Sequence, residues 1–204
     1  MSISKIQAES MNLADTYAFT GTVTGAGEAN DAVLIASASG GGTTSQQFNG
    51  CFTTDYKFYM ICANITMNGD ADVNMRFLDS SNNELSSGVH YYQGNRTNNN
   101  AGSRTNNTLG AFGGDKFGPN KQIQSSSTRF ALYKIFVYDP FNSGTKTNYE
   151  FVFHCQAAAS NLNTIYAAGV YDTAVSMTGF KFLSSNSNTI GSASKFAIYG
   201  FKQS

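Results

Sequence analysis

The chain has 204 residues, with 13 Lys and Arg against 13 Asp and Glu and a net charge of zero. This length fits one domain, and a charged share of 13% is about half that of an average globular protein. A neutral chain without a basic block argues against nucleic-acid binding and against anionic membranes, because phosphate groups are neutralised by clustered Lys and Arg.

The first 30 residues differ from the rest of the chain. Their apolar side chains occur singly, and the segment ends in glycines. The pattern predicts an extended N-terminal docking arm over residues 1–30. Such an arm cannot bury its apolar residues on itself, so they need their own sandwich or a neighbouring subunit. The candidate docking residues are Leu13, Tyr17, Phe19 and Val23.

Residues 31–204 show the two-residue alternation of β-strands and almost no helical periodicity. Val73, Met75 and Phe77 alternate with polar residues, as in a half-buried strand. A second inward row is predicted at Tyr149, Phe151, Phe153 and Cys155. Strands are predicted at 31–37, 56–66, 72–79, 88–92, 129–138, 148–156, 162–171, 176–183 and 195–201.

Eight or nine short strands joined by polar turns predict an antiparallel two-sheet β-sandwich of jelly-roll-like type. This strand count suits a jelly roll better than a seven-stranded immunoglobulin domain, and the chain has no Trp for the immunoglobulin pattern. A β-barrel of the same strand number is the alternative, because the alternation is the same in a barrel.

A polar tract rich in Asn, Gly, Arg and Thr interrupts this pattern. It predicts a long loop insertion over residues 93–120, longer than compact domains normally tolerate without a function. Aromatic rings combined with amides and guanidinium groups are typical of adaptable recognition surfaces, and carbohydrates suit them. The alternative is that the loop packs on its own sandwich. The candidate ligand or partner surface is Tyr91, Tyr92, Arg96, Arg104, Phe112 and Phe117.

The sequence predicts no catalytic, cofactor or metal site. Nucleophilic catalysis needs a base, and only His90 and His154 are available, neither of them in a nucleophile-elbow motif. His154 is expected on an outer strand face or as a core imidazole, whereas His90 beside two tyrosines could line a surface. Asp70 and Asp72 give only a weak calcium signal, because no third acid is nearby.

The three cysteines, Cys51, Cys62 and Cys155, lack the paired spacing of zinc or redox motifs and are predicted to be buried, reduced thiols. The chain begins without a basic-then-apolar leader, and no apolar run approaches the ~18 residues of a membrane span. These features predict synthesis in a reducing compartment without a signal peptide and without membrane insertion.

Four segments of the chain carry a resemblance to a known family. They are the arm at 12–23, the strands at 33–37 and 56–59, and the C-terminal stretch 191–202. The last of these ends Phe196-Ala197-Ile198-Tyr199-Gly200-Phe201-Lys202, which has the form aromatic-x-Leu/Ile-Tyr-Gly-x-Lys. Together these segments resemble small virion proteins of aquatic tailed bacteriophages. The similarity spans most of the chain, but its motifs specify no catalytic residue, and the 93–120 insertion has no counterpart in the family.

The resemblance implies a non-enzymatic virion structural protein of tail-fibre or appendage type. Its arm would dock on other virion proteins, and its sandwich would face outward for assembly or for attachment to a host-surface glycan. A closed homo-oligomer is expected, with a trimer favoured. Two alternatives stand beside this interpretation, a capsid decoration protein and a carbohydrate-binding module.

Overall fold

The computed structural model describes residues 32–100, 103–119, 122–123, 130–158 and 161–202, without side chains for 99–113 and 157–161. The predicted arm, including Leu13, Tyr17, Phe19 and Val23, lies outside the described residues. All regular secondary structure in the described part is β, and no helix occurs there.

Eleven strands are described in this part of the chain. They are β1 (Val33–Ser39), β2 (Ser45–Phe48), β3 (Phe58–Ile65), β4 (Val73–Leu78), β5 (His90–Asn100), β6 (Ser103–Gly114), β7 (Ala131–Tyr138), β8 (Asn148–Ala158), β9 (Asn161–Tyr171), β10 (Gly179–Ser184) and β11 (Lys195–Phe201).

The strands form two antiparallel sheets of unequal size. The large sheet has eight strands in the order β1-β11-β3-β7-β8-β9-β5-β6, and the small sheet has three in the order β2-β10-β4. The two sheets pack together, which confirms the predicted all-β sandwich. One face of the large sheet, the inner face, meets the small sheet, and the opposite, outer face points away from it.

The sheets meet in an aromatic core, which confirms the alternation predicted from the sequence. Phe77 of β4 and Phe182 of β10 are fully buried and pack on Tyr149 and Tyr133 of the large sheet, with ring centroids 6.1 and 5.7 Å apart. The Tyr133 hydroxyl also donates a hydrogen bond to the Val73 carbonyl at 3.1 Å. This bond satisfies a polar atom that burial would otherwise leave unpaired.

The loop predicted over residues 93–120 is wrong for most of its length. Strands β5 and β6 pair from Tyr91 and Phe112 to Asn100 and Ser103, and β5 also pairs with β9 over its whole length. Asn and Gly have low intrinsic strand propensity, but pairing on both edges of β5 satisfies its backbone, and tertiary context overrides that propensity. Strand β2 was also missed, because its residues Ser45, Gln46 and Gln47 are polar.

Candidate interaction surface

The six residues of the predicted recognition surface do not lie on one surface. Tyr91 and Tyr92 are neighbours on β5, so they point to opposite faces of the large sheet. Tyr91 is 38% exposed on the outer face, whereas Tyr92 is 8% exposed and packs against Phe151 at 5.8 Å. Tyr92 is therefore part of the core, and its place in the predicted surface is wrong.

Phe117 is also a core residue, contrary to the prediction. Its backbone forms an isolated bridge with Met75, with hydrogen bonds of 3.1 and 2.7 Å in the two directions. The bridge places the ring between the sheets, where it stacks on Tyr149 at 4.1 Å and has 0% exposure. The surrounding glycines suggested a loop, and nothing in the sequence marked this single Phe as a bridge residue.

The other three predicted residues lie on the hairpin of β5 and β6. Arg96 has the inner-face parity of Tyr92 and is half-buried. Phe112 pairs with Tyr91, and Arg104 pairs with Asn99 at the far end of the hairpin, but their side chains are outside the described set. Of the six residues, only Tyr91 has a side chain that the structure places on the outer face.

His90 does not line a surface either. It is fully buried among aromatic rings, with centroids 4.8 Å from Phe117 and 4.9 Å from Tyr171. Desolvation by burial lowers the pKa of His90 to about 4, although the charge on Asp115 opposes this shift. The imidazole is therefore neutral at pH 7 and belongs to the core.

His154 lies on the outer face, which is one of the two positions predicted for it, with Nδ1 3.1 Å from the Thr164 hydroxyl. Cys51 and Cys155 are buried and Cys62 is half-buried, and none of these three described residues forms a disulfide. Among the described residues, no group of three or more His, Cys, Asp or Glu side chains could hold a metal ion.

Four charged residues are paired with one another on the outer face of the small sheet. Arg76 contacts the carboxylates of both Glu84 and Asp115, and Lys181 Nζ lies 2.6 Å from Glu84. The hydrogen bond from Lys181 is the main cause of a lowered pKa at Glu84, with Arg76 adding to it and desolvation opposing it. These ion pairs connect the loop residues Glu84 and Asp115 to β4 and β10, and the four charges sum to zero.

The outer face of the large sheet carries a group of packed aromatic rings, here called the aromatic ladder, in which Tyr138 is 39% exposed and the other members are half-buried. Phe58 on β3 lies at its centre, with ring centroids 5.5, 5.2 and 4.8 Å from three neighbours on adjacent strands. Large apolar side chains are rarely left as contiguous exposed patches unless another molecule or segment covers them. The ladder consists of Phe58, Phe136, Tyr138 and Phe201.

A shallow depression, here called the central groove, adjoins the ladder. It has a volume of about 450 Å³ and is floored by apolar atoms of β3, β7, β8 and β11. Leu132, 52% exposed, and the half-buried Cys62 line it, and Lys134 and Lys195 bring positive charge to its rim. The described residues that line the groove include no carboxylate.

The outer face has a second, more polar part on β9 and β5. Tyr166 is 56% exposed, pairs with Asn95 and lines a groove of about 280 Å³ with Gln93 and Glu150. An exposed ring next to amides and a carboxylate offers both an apolar platform and hydrogen-bonding groups.

A sequence signal for the ladder and the central groove does exist. β3 and β7 carry apolar residues at both parities, such as Met60 beside Ile61 and Phe136 beside Ile135. A strand that is apolar on both sides is typical of a sheet covered on both faces. In this molecule the small sheet covers only one face.

Comparison with known proteins found no matching family model, no matching curated protein and no matching solved structure. In the part of the chain that the structure describes, no helix is long and apolar enough to span a membrane.

Proposed function

We propose that this chain is a non-enzymatic structural protein of a bacteriophage virion, of tail-fibre or appendage type. Its N-terminal arm docks on a neighbouring virion protein, and its sandwich contributes the exposed face through which the protein assembles. The protein works as a closed homo-oligomer, for which a trimer is favoured by the resemblance to virion proteins.

The observation that carries this proposal is the outer face of the large sheet. The aromatic ladder and the central groove together present apolar side chains on a face that the small sheet does not cover. Protein interfaces are enriched in aromatic residues, and the ladder supplies four of them on this face. The similarity of the arm and of the C-terminal strand to phage virion proteins supports placing this interface in a particle.

Attachment to a host-surface glycan is the second part of the proposal. It is supported by Tyr166, whose exposed ring lies beside the amides of Gln93 and Asn95. Sugars present apolar C–H faces and hydroxyl groups, which such a ring and such amides can contact together.

The virion assignment is tested by counting copies of this chain in particles of the phage that encodes it, by quantitative mass spectrometry. A handful of copies per particle is expected for a tail appendage. Several hundred copies would replace this assignment with capsid decoration, and absence from purified particles would overturn the virion proposal itself.

The glycan proposal is tested on a glycan array with the wild-type protein and the Tyr166→Ala variant. Binding should be lost in Tyr166→Ala, because the exposed platform is removed, and kept in the matched control Leu162→Ala, which truncates another exposed residue of β9. No binding by the wild-type protein, or equal binding by both variants, would contradict glycan recognition through this part of the face.

A further inference from the structure

The central groove and the N-terminal segment of the chain are complementary in chemistry. The groove has an apolar floor and two lysines at its rim, Lys134 and Lys195, with no carboxylate among its described lining residues. An occupant that fits it must supply apolar side chains and negative charge.

Residues 1–31 have this composition. They contain four acidic residues, Glu9, Asp15, Glu28 and Asp31, against the single base Lys5, a side-chain net charge of −3. Between these charges the apolar residues occur singly, each next to a small or polar neighbour. A segment of this kind can place one ring or branched side chain in a groove while its carboxylates approach the rim.

We propose that residues 1–31 of one copy lie across the outer face of the large sheet of a neighbouring copy. One apolar side chain of the segment fills the central groove, and its carboxylates approach Lys134 and Lys195. This inference rests on the proposed function, because it names the surface on which the arm docks, and that surface belongs to a second copy of this chain.

The direction of the chain favours a neighbouring copy over the same copy. The described chain enters the large sheet at Val33, which pairs with Gly200 near the ladder end of β11. The central groove lies toward the other end of that strand, near the pairing of Ser39 with Lys195. The first described residues, 32 and 33, therefore lie at the end of β1 that is farther from the groove of the same copy.

The length of the segment is sufficient for this exchange. At about 3.3 Å per extended residue, 31 residues span at most roughly 100 Å. This reach exceeds the distance between neighbouring domains of this size in contact. Docking of each arm on the next copy is a head-to-tail contact, which closes into a ring when the rotation between copies permits.

The test uses the native thiol of Cys62, which lines the groove. Two full-length chains with different affinity tags are co-expressed. One carries Cys62→Ser and a single arm cysteine, in turn Leu13→Cys, Tyr17→Cys, Phe19→Cys or Val23→Cys. The other keeps Cys62. Mild oxidation is followed by non-reducing electrophoresis and detection of both tags.

Arm exchange predicts a disulfide-linked pair carrying both tags for at least one arm position. The pair should be lost when the second chain also carries Cys62→Ser, which controls for Cys51 and Cys155. In a second, single-chain format, the same arm cysteine is placed in a chain that keeps its own Cys62. A disulfide that forms only within that chain would overturn the exchange, and no bond to Cys62 in either format would overturn docking in the groove.

Charge reversal gives an independent readout of the same contact. The double variant Lys134→Glu and Lys195→Glu should lower the cross-linking yield about ten-fold, whereas Lys146→Glu, which alters a lysine paired with Asp172 away from the groove, should not. Unchanged yield in the double variant would contradict the role of the lysines. These measurements use purified protein, so their failure is distinguishable from absence of the chain from particles.

Discussion

The inner and outer faces of the large sheet are built from the same strands and similar residues, yet they have different surroundings. On β7, Ile135 is fully buried under the small sheet, whereas Leu132 is largely exposed on the outer face. The difference shows that the residue type of these strands does not decide burial. What decides it is whether another layer packs on the face, and the outer face lacks such a layer among the described residues.

The largest loss of stability is expected when the packing of the small sheet against the inner face is disrupted. Phe77→Ala removes a fully buried ring that contacts His90, Tyr149, Tyr171 and Phe180, and should lower the free energy of unfolding by about 3–5 kcal/mol. Denaturant unfolding measures this change. Phe130→Ala, which truncates a partly exposed ring outside the core, is the matched control and should change stability by less than about 1 kcal/mol.

The buried imidazole of His90 predicts that the free energy of unfolding depends on pH. Its pKa is about 4 in the folded protein and near 6.5 when unfolded. Because the unfolded chain binds the proton first, stability is fully present above pH 6.5 and falls as the pH drops toward about 4. A shift of this size corresponds to about 3 kcal/mol once both pKa values have been passed.

His90→Phe should remove this slope, because a ring of similar shape remains without a proton to bind. Unfolding curves between pH 7 and pH 4.5 test the prediction, since most carboxyl groups titrate below this window. His154→Gln is the matched control and should keep the slope, because His90 is retained. A slope of equal size in His90→Phe would contradict the assignment of His90 to the core.

The pairing of β5 with β9 is tested at Gly94. A Cβ added there would collide with the Tyr166 carbonyl and with Ala167 on the paired strand β9. Gly94→Ala should therefore cost about 1–3 kcal/mol of stability. Gly41→Ala, where the nearest heavy atom to the new Cβ is 4.0 Å away, should have almost no effect. Equal stability of the two variants would argue that residues 93–100 do not pair with β9.

The smallest effect is expected at the ion-pair group on the small sheet. Glu84→Gln removes the carboxylate shared by Arg76 and Lys181 and should cost about 1 kcal/mol at pH 7. Because the folded pKa of Glu84 is lowered, its stabilisation is present above its unfolded pKa of about 4.5 and is lost below it. The difference between wild type and Glu84→Gln should therefore shrink in acid, and a difference independent of pH would contradict this assignment.

The alternation along single strands made much of the fold predictable. The rows Val73, Met75, Phe77 and Tyr149, Phe151, Phe153, Cys155 were assigned to the interior, and the structure buries them all. These positions depend on local periodicity, which a sequence records directly.

Pairing between distant segments was not predictable in the same way. The polar tract of β5 forms a strand because β6 and β9 pair with it, and Phe117 is buried because its backbone bridges to Met75. β9 and Met75 lie far away in the sequence from their partners, and β6, although next along the chain, has the same polar composition as β5, so single-sequence patterns do not reveal these pairings. The predicted recognition surface has the same weakness, because it assumed a loop at residues 93–120, most of which form the hairpin of β5 and β6.

If the outer face of the large sheet is an interface between copies, the alkylation rate of Cys62 must depend on protein concentration. The full-length protein is treated with a maleimide over a wide range of protein concentrations, with the buried Cys51 and Cys155 as internal controls. Cys62 should react more slowly as the protein concentration rises, because neighbouring copies cover the groove. An alkylation rate that is high and equal at every concentration would contradict it.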